Sequence, residues 1–168
     1  GDKPVSDDSP ALRWTPAADA APLRGWNVVL VLCESLAARQ VGALGAAGAE
    51  AMTPAFDRHA DEGLLFTRFL ANGPSTNRAV PATLAGFPCF PKRLALTKSA
   101  EGRQEFLSLA RLLGERGWAT AFVSGGASSW ENLGGWLASQ WFARTIDRAD
   151  FRDEDCASVW GPHDGLLL

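Results

Sequence analysis

The run of residues 27–35, NVVLVLCES, constrains this chain more than any other stretch. Residues 28–33 are six consecutive apolar side chains, mostly Val and Leu. That is the pattern of a strand buried on both faces, as at the centre of a parallel α/β sheet. The run then ends on a carboxylate. Ligands of open α/β sheets bind just beyond the carboxyl ends of the strands, so Glu34 stands where chemistry is usually done. A charge there is costly unless it is paired or holds a cation. The position equally suits a helix cap by Glu34 or Ser35, and the residues alone leave both readings open. Cys33, inside the run, reads as a small core residue.

The rest of the chain repeats the strand–helix alternation. Residues 36–44 fit a short helix stopped by Gly45, followed by a loop at 46–49. Thr53-Pro54 is an N-cap followed by Pro at the first helical position, and Gly63 is a stop, so the spacing predicts a helix over 54–62. Residues 64–69 read as a second strand, and Asn72-Gly73-Pro74 is turn chemistry. A helix follows up to Leu84, closed by Gly86 and kinked or delayed by Pro81. Phe106, Leu109, Ala110, Leu112 and Leu113 recur at helical spacing up to Gly117. Strands are expected at 118–123 and 142–146, with a helix at 130–139 between them. Such alternation implies βαβ units, hence an α/β fold with a mostly parallel sheet and helices on both faces.

Composition narrows the function classes. A net charge of −3 provides no basic field for nucleic acid. No apolar run approaches the roughly 20 residues needed to span a bilayer. Residues 1–25, rich in Pro, Ala, Asp and Ser, read as a linker or arm, with 26–168 as the folded part. The chain starts at Gly1 without a signal-peptide pattern, which reads as an excised or processed segment. Cys33, Cys89 and Cys156 have neither CxxC nor zinc-ligand spacing.

A second strand end points to the same chemistry as Glu34. In Asn72-Gly73-Pro74-Ser75-Thr76-Asn77-Arg78, hydroxyls precede a helix whose N-terminal N–H groups favour an anion such as phosphate. A hydroxyl beside a carboxylate-bound cation has its pKa lowered and becomes a nucleophile toward phosphorus or sulfur. Arg78 has the fork geometry to clamp an anion. Ser75 or Thr76 also suits a plain N-cap.

Taken together, NVVLVLCESLAARQVGALG, TPAFDRHADEGLLFTRFLANGPSTNRAVPATLAGFP and SLARLLGERGWATAFVSGGASSWENLGGWLASQWFARTIDRADF resemble the lipoteichoic-acid-synthase type of sulfatase-like domain, in the alkaline phosphatase superfamily. The likeness runs over about residues 26–165 in unbroken order. It implies an alkaline-phosphatase-like fold, with Glu34 as ligand of a divalent cation (Mn2+, Mg2+ or Zn2+). Thr76 would be both metal ligand and covalent nucleophile. The segment Ser124 to Asn132 is similar to the family's headgroup loop, which makes Trp130, Glu131 and Asn132 substrate-binding candidates, although relatives often carry an acidic residue near Ala127. Trp130 at a helix start also suits simple core packing.

Cys89-Phe90-Pro91-Lys92-Arg93 matches the C-x-P-x-R pattern in which sulfatases convert Cys to formylglycine. Its setting differs, because Leu84-Ala85-Gly86 occupies the helix end that should follow that Cys. Thr76 falls where the sulfatase Cys would sit. His59 reads as solvent-facing, and His163-Asp164 as structural. The family's Asp-His pair and further His lie downstream of the positions covered here, so the resemblance implies the N-terminal half of a catalytic domain. The implied activity is transfer of a phosphoglycerol or phosphoethanolamine headgroup from a phospholipid to a glycan or lipid acceptor, on the extracytoplasmic face of a membrane held by segments outside this chain. Alternatives are a sulfatase or phosphodiesterase that releases product to water, and an inactive headgroup-binding module.

Overall fold

A computed structural model describes residues 3–4, 13–14, 25–45 and 52–167. The chain divides into two units, Gly1–Ser35 and Leu36–Leu168. The expected loop at 46–49, and most of the expected arm at 1–25, lie outside the described residues. In the first unit β1 (Lys3–Pro4) pairs antiparallel with β2 (Arg13–Trp14).

The apolar run does not form the expected strand. Residues 26–32 carry no strand pairing, Val29 is 78% exposed, and Cys33 is exposed rather than in a core. The reason is non-local. An extended segment becomes a strand only when a neighbour accepts its backbone ladder, and no described strand pairs with this one. The same correction applies to residues 64–69, which form no strand and leave Phe69 82% exposed.

Helices depend on local signals, and α1 and α2 form where those signals stand. α1 (Pro54–Glu62) has Pro in its first turn and ends at Gly63. Thr53 stitches α1 to the preceding segment. Its hydroxyl accepts from Gly42 N at 3.2 Å and donates to Asp57 Oδ1 at 3.0 Å, while Asp57 also accepts from Ala43 N. The helix expected at 36–44 is instead two 3₁₀ turns, Ala38–Gln40 and Gly42–Leu44, the second closed by Gly45 at φ 79°. The first of these turns is capped at Ala37, so Ser35 is not a helix cap.

α2 (Thr76–Ala85) contains Pro81 without breaking and stops at Gly86, φ 64°. α3 (Leu109–Gly114) begins where Ser108 Oγ accepts from Arg111 N at 3.1 Å. β3 (Ala121–Val123) and β4 (Arg144–Ile146) pair in parallel, joined through a crossover that contains α4 (Leu133–Ala138). β5 (Cys156–Ser158) and β6 (Gly161–Pro162) pair antiparallel.

The fold is therefore mixed α/β with small sheets. Every described sheet is two-stranded and one of the three is parallel, so the expected large parallel sheet is not formed among these residues.

The core lies between α2 and α4. Val80 and Leu84 pack with Leu96, Leu133, Trp136 and Leu137, and Phe87, Phe106, Phe122 and Phe142 close its edges. Gln140 is fully buried and pins the far side. Its side chain accepts from Phe106 N (3.1 Å) and donates to Gln104 O (3.0 Å), and its carbonyl accepts from Ser108 Oγ (2.9 Å). A buried amide with its bonds made fixes register without a desolvation penalty.

Asp147, just past β4, fastens the Gly125-Gly126 loop. It accepts from Ser128 N and Ala149 N, both at 2.9 Å. The Ser128 bonds, with a smaller contribution from Ala149 N, hold its carboxyl below the usual carboxylate range. A depressed folded-state pKa gives stability that is present above the unfolded value and is lost as pH falls through the folded one. Asp147→Asn is thus expected to melt earlier than the parent chain at pH 7. The gap should close below the usual carboxylate range, as followed by circular dichroism.

Candidate active site

The site grows from the turn before α2. Gly73 lies so close to the helix that a Cβ there would stand 2.8 Å from Arg78 Cβ and 2.9 Å from Ala79 N, so this position needs a residue without a side chain. Ser75 is the N-cap, with extended backbone. Its carbonyl accepts from Arg78 N and Ala79 N. Its hydroxyl does not cap; it donates to Asn77 Oδ1 at 2.7 Å. Thr76 is half-buried at the first position of α2.

Asn77, buried beside Thr76, reaches across the fold. Its Nδ2 donates to Glu131 Oε2 at 2.6 Å, and Lys98 Nζ meets the same oxygen at 2.5 Å. Glu131 and Asn132 both sit in left-handed backbone, φ 55° and 56°, where non-glycine residues are uncommon. Asn132 Nδ2 fastens this turn to Thr97 O at 2.6 Å. Trp130, at 51% exposure, projects from the surface rather than packing in the core. The headgroup-loop candidates and the turn bearing Thr76 are thus tied together through Asn77, Glu131 and Lys98.

Arg78 directs its guanidinium at the neighbouring loop. Nη2 donates to Arg93 O at 2.6 Å, and Nη1 to Phe90 O (3.4 Å) and Cys89 Sγ (3.5 Å). Asn72 Oδ1 accepts from Cys89 N at 3.0 Å on the other side of this loop. Cys89 is therefore a half-buried wall residue, held beyond α2 and not at its start. Between the loop and α2 opens a cavity of about 370 Å³, lined by Asn77, Arg78, Lys92, Arg93, Lys98 and Glu131. A second one of about 530 Å³ continues along Phe87, Cys89 and Ser99 to Glu101. Hydrogen bonds from the backbone and from the Ser99 hydroxyl hold the Glu101 carboxyl below its ordinary value.

Glu34 is the penultimate residue of the first unit, at a turn whose next residue, Ser35, has φ 57°. Thr76 belongs to the second unit. Both are oxygen donors suited to a hard divalent cation, but two are too few to enclose one. Among the described residues no three His, Cys, Asp or Glu side chains come together to hold a metal ion. The donor set here does not by itself fit the implied cation. His59 is exposed and pairs with Glu62 at 3.2 Å, and His163 is exposed at the start of a 3₁₀ turn.

Asn77 and Lys98 were not legible as site residues. Asn77 stands inside the NGPSTNR motif, but nothing near it in the chain signals Glu131, 54 positions away, and nothing around Lys98 signals the same partner 33 positions away.

The architecture agrees with solved structures of similar proteins. A structure of a protein in the alkaline phosphatase superfamily from Vibrio parahaemolyticus is similar over 77% of this chain at 31% identity, TM-score 0.68. The lipoteichoic acid synthase LtaP from Listeria monocytogenes matches over 58% of the chain at 24% identity, TM-score 0.51, a likeness of fold. The chain spans 31% and 23% of those two proteins. The sulfatase family model matches residues 26–165, and the chain belongs to the sulfatase family.

Proposed function

We propose that the full-length protein transfers a phosphoryl-ester group with Thr76 as nucleophile. The observation that supports this reading is the place of Thr76 as the first residue of α2, directly before Asn77 and Arg78, which line the basic cavity. In the first step Thr76 Oγ loses its proton and bonds to phosphorus while the bond from phosphorus to the lipid alcohol breaks. That alcohol leaves with a proton. In the second step an acceptor hydroxyl attacks phosphorus, gives up its proton, and returns Thr76 to its hydroxyl form. The helix N-terminus and the basic side chains favour the anionic group throughout.

Glu34 and Thr76 are this chain's proposed contribution to a divalent-cation site (Mn2+, Mg2+ or Zn2+). Arg78, Trp130, Glu131 and Asn132 form the proposed substrate wall, with Trp130 as an aromatic face. The proposed substrate is a phospholipid headgroup, phosphoglycerol or phosphoethanolamine, and the acceptor a glycan or lipid outside the cytoplasm. Across the full-length fold the expected frame is a mostly parallel sheet with helices on both faces.

The sulfatase family match favours a second reading, hydrolysis of a sulfate or phosphate ester to water. Turnover assays of the full-length protein on a phosphatidylglycerol and on an aryl sulfate separate the two. The proposal expects turnover of the first, with glycerol phosphate appearing on an acceptor. Turnover of the sulfate alone would overturn it.

A further inference from the structure

Lys98 and Glu131 are joined at 2.5 Å on the wall of the 370 Å³ cavity, whose other charged lining groups are Arg78, Lys92 and Arg93. The cavity therefore carries an excess of positive charge. The groups are not equivalent. Arg78 is engaged with loop carbonyls at Phe90 and Arg93. Lys92 and Arg93 are exposed on that loop, Lys92 in left-handed backbone at φ 61°. Lys98 is held from behind, since Glu131 is itself fixed by Asn77 and by the strained 131–132 turn. An ammonium anchored in this way has lost its rotamer freedom before a ligand arrives, which favours binding. It still has donors to offer, because an ammonium has three.

We propose that this cavity is a phosphate subsite in which Lys98, oriented by Glu131, contacts the anion and Lys92 and Arg93 close over it. The ligand class is an anionic phosphate group, either on a lipid headgroup or on a free phosphate compound. Glu131 is a positioning residue. The inference rests on the reading of Thr76 as nucleophile only for what the subsite is for; the subsite itself stands on Lys98, Glu131 and the cavity.

The test measures affinity of the full-length protein for inorganic phosphate by calorimetry, with melting temperatures confirming that each variant is folded. Lys98→Gln is expected to weaken binding about tenfold or more, the range for a charge-assisted hydrogen bond. Glu131→Gln is the discriminating variant. A bare electrostatic field predicts tighter phosphate binding once the carboxylate is gone, whereas positioning predicts weaker binding. Phosphate affinity that is absent in the parent, unchanged in Lys98→Gln, or raised in Glu131→Gln would overturn the proposal. Co-sedimentation with phosphatidylglycerol vesicles identifies the source. Vesicle binding lost in Lys98→Gln assigns the lipid headgroup, and phosphate binding without vesicle binding assigns the free compound. Thr76→Ala keeps the two claims apart: turnover retained in it refutes the nucleophile and leaves the subsite to be judged on Lys98 alone.

Discussion

Thr76→Ala in the full-length protein is expected to abolish turnover, by on the order of 10⁴-fold or more, because no other atom replaces the attacking oxygen. The fold should not suffer. Thr76 opens α2, Ala is a better helix former than Thr, and the cap contacts through the Ser75 carbonyl do not use the Thr side chain. Melting temperature should therefore stay near the parent value while activity disappears. Thr76→Ser keeps the hydroxyl and is expected to retain measurable turnover. This contrast separates a lost nucleophile from a disturbed helix start, and steady-state kinetics on the three proteins reads it directly. Full activity in Thr76→Ala would remove the nucleophile assignment.

The largest expected effect on stability is at Trp136. It is 1% exposed on α4 and packs with Val80, Leu84, Leu96, Leu133 and Leu137. Truncation to Ala removes the ring and leaves a cavity that these neighbours fill only partly, a loss of about 3–5 kcal/mol. Against a total stability of roughly 5–15 kcal/mol for a domain, that leaves a marginal fold or none. Trp136→Phe is expected to lose far less. The indole Nε1 is buried and has no hydrogen-bond partner among the described residues, so the smaller ring gives up some packing but also removes a donor unsatisfied there. Urea unfolding of the two variants checks the order. Equal losses would mean that ring packing at this position does not set the stability of the core.

The helices were legible because their signals are local. Pro54 at a first turn and Gly86 at φ 64° each act within one turn of chain, whereas the stop at Gly45 closes a 3₁₀ turn and not the helix expected over 36–44. The strands were not. Residues 27–33 and 64–69 have the composition of strands, yet a strand is a property of a pair, and the described residues hold no partner for either. β3 and β4 do pair, and both fall within the segments expected from their apolar runs.

The site divides along the same line. The turn at Gly73, and Thr76 at a helix start, could be read from neighbouring residues. Arg78 could be read as a cation but not for its partners. Its contacts at Phe90 and Arg93 are set by how a loop folds back, which periodicity does not encode. The bond from Asn77 to Glu131 spans 54 positions and depends on two consecutive left-handed residues, for which the sequence carries no glycine marker. Trp130 had two readings, and its 51% exposure decides for the surface.

If Thr76 is the nucleophile, its oxygen forms a covalent bond to phosphorus during turnover. Tandem mass spectrometry of the full-length protein, quenched shortly after mixing with a phosphatidylglycerol, tests it most directly. A phosphorus-containing ester is expected on the peptide bearing Thr76, localised to that residue and absent from Thr76→Ala. An adduct on another residue, such as Cys89, or turnover with no adduct on Thr76 under conditions that trap the intermediate, would contradict it.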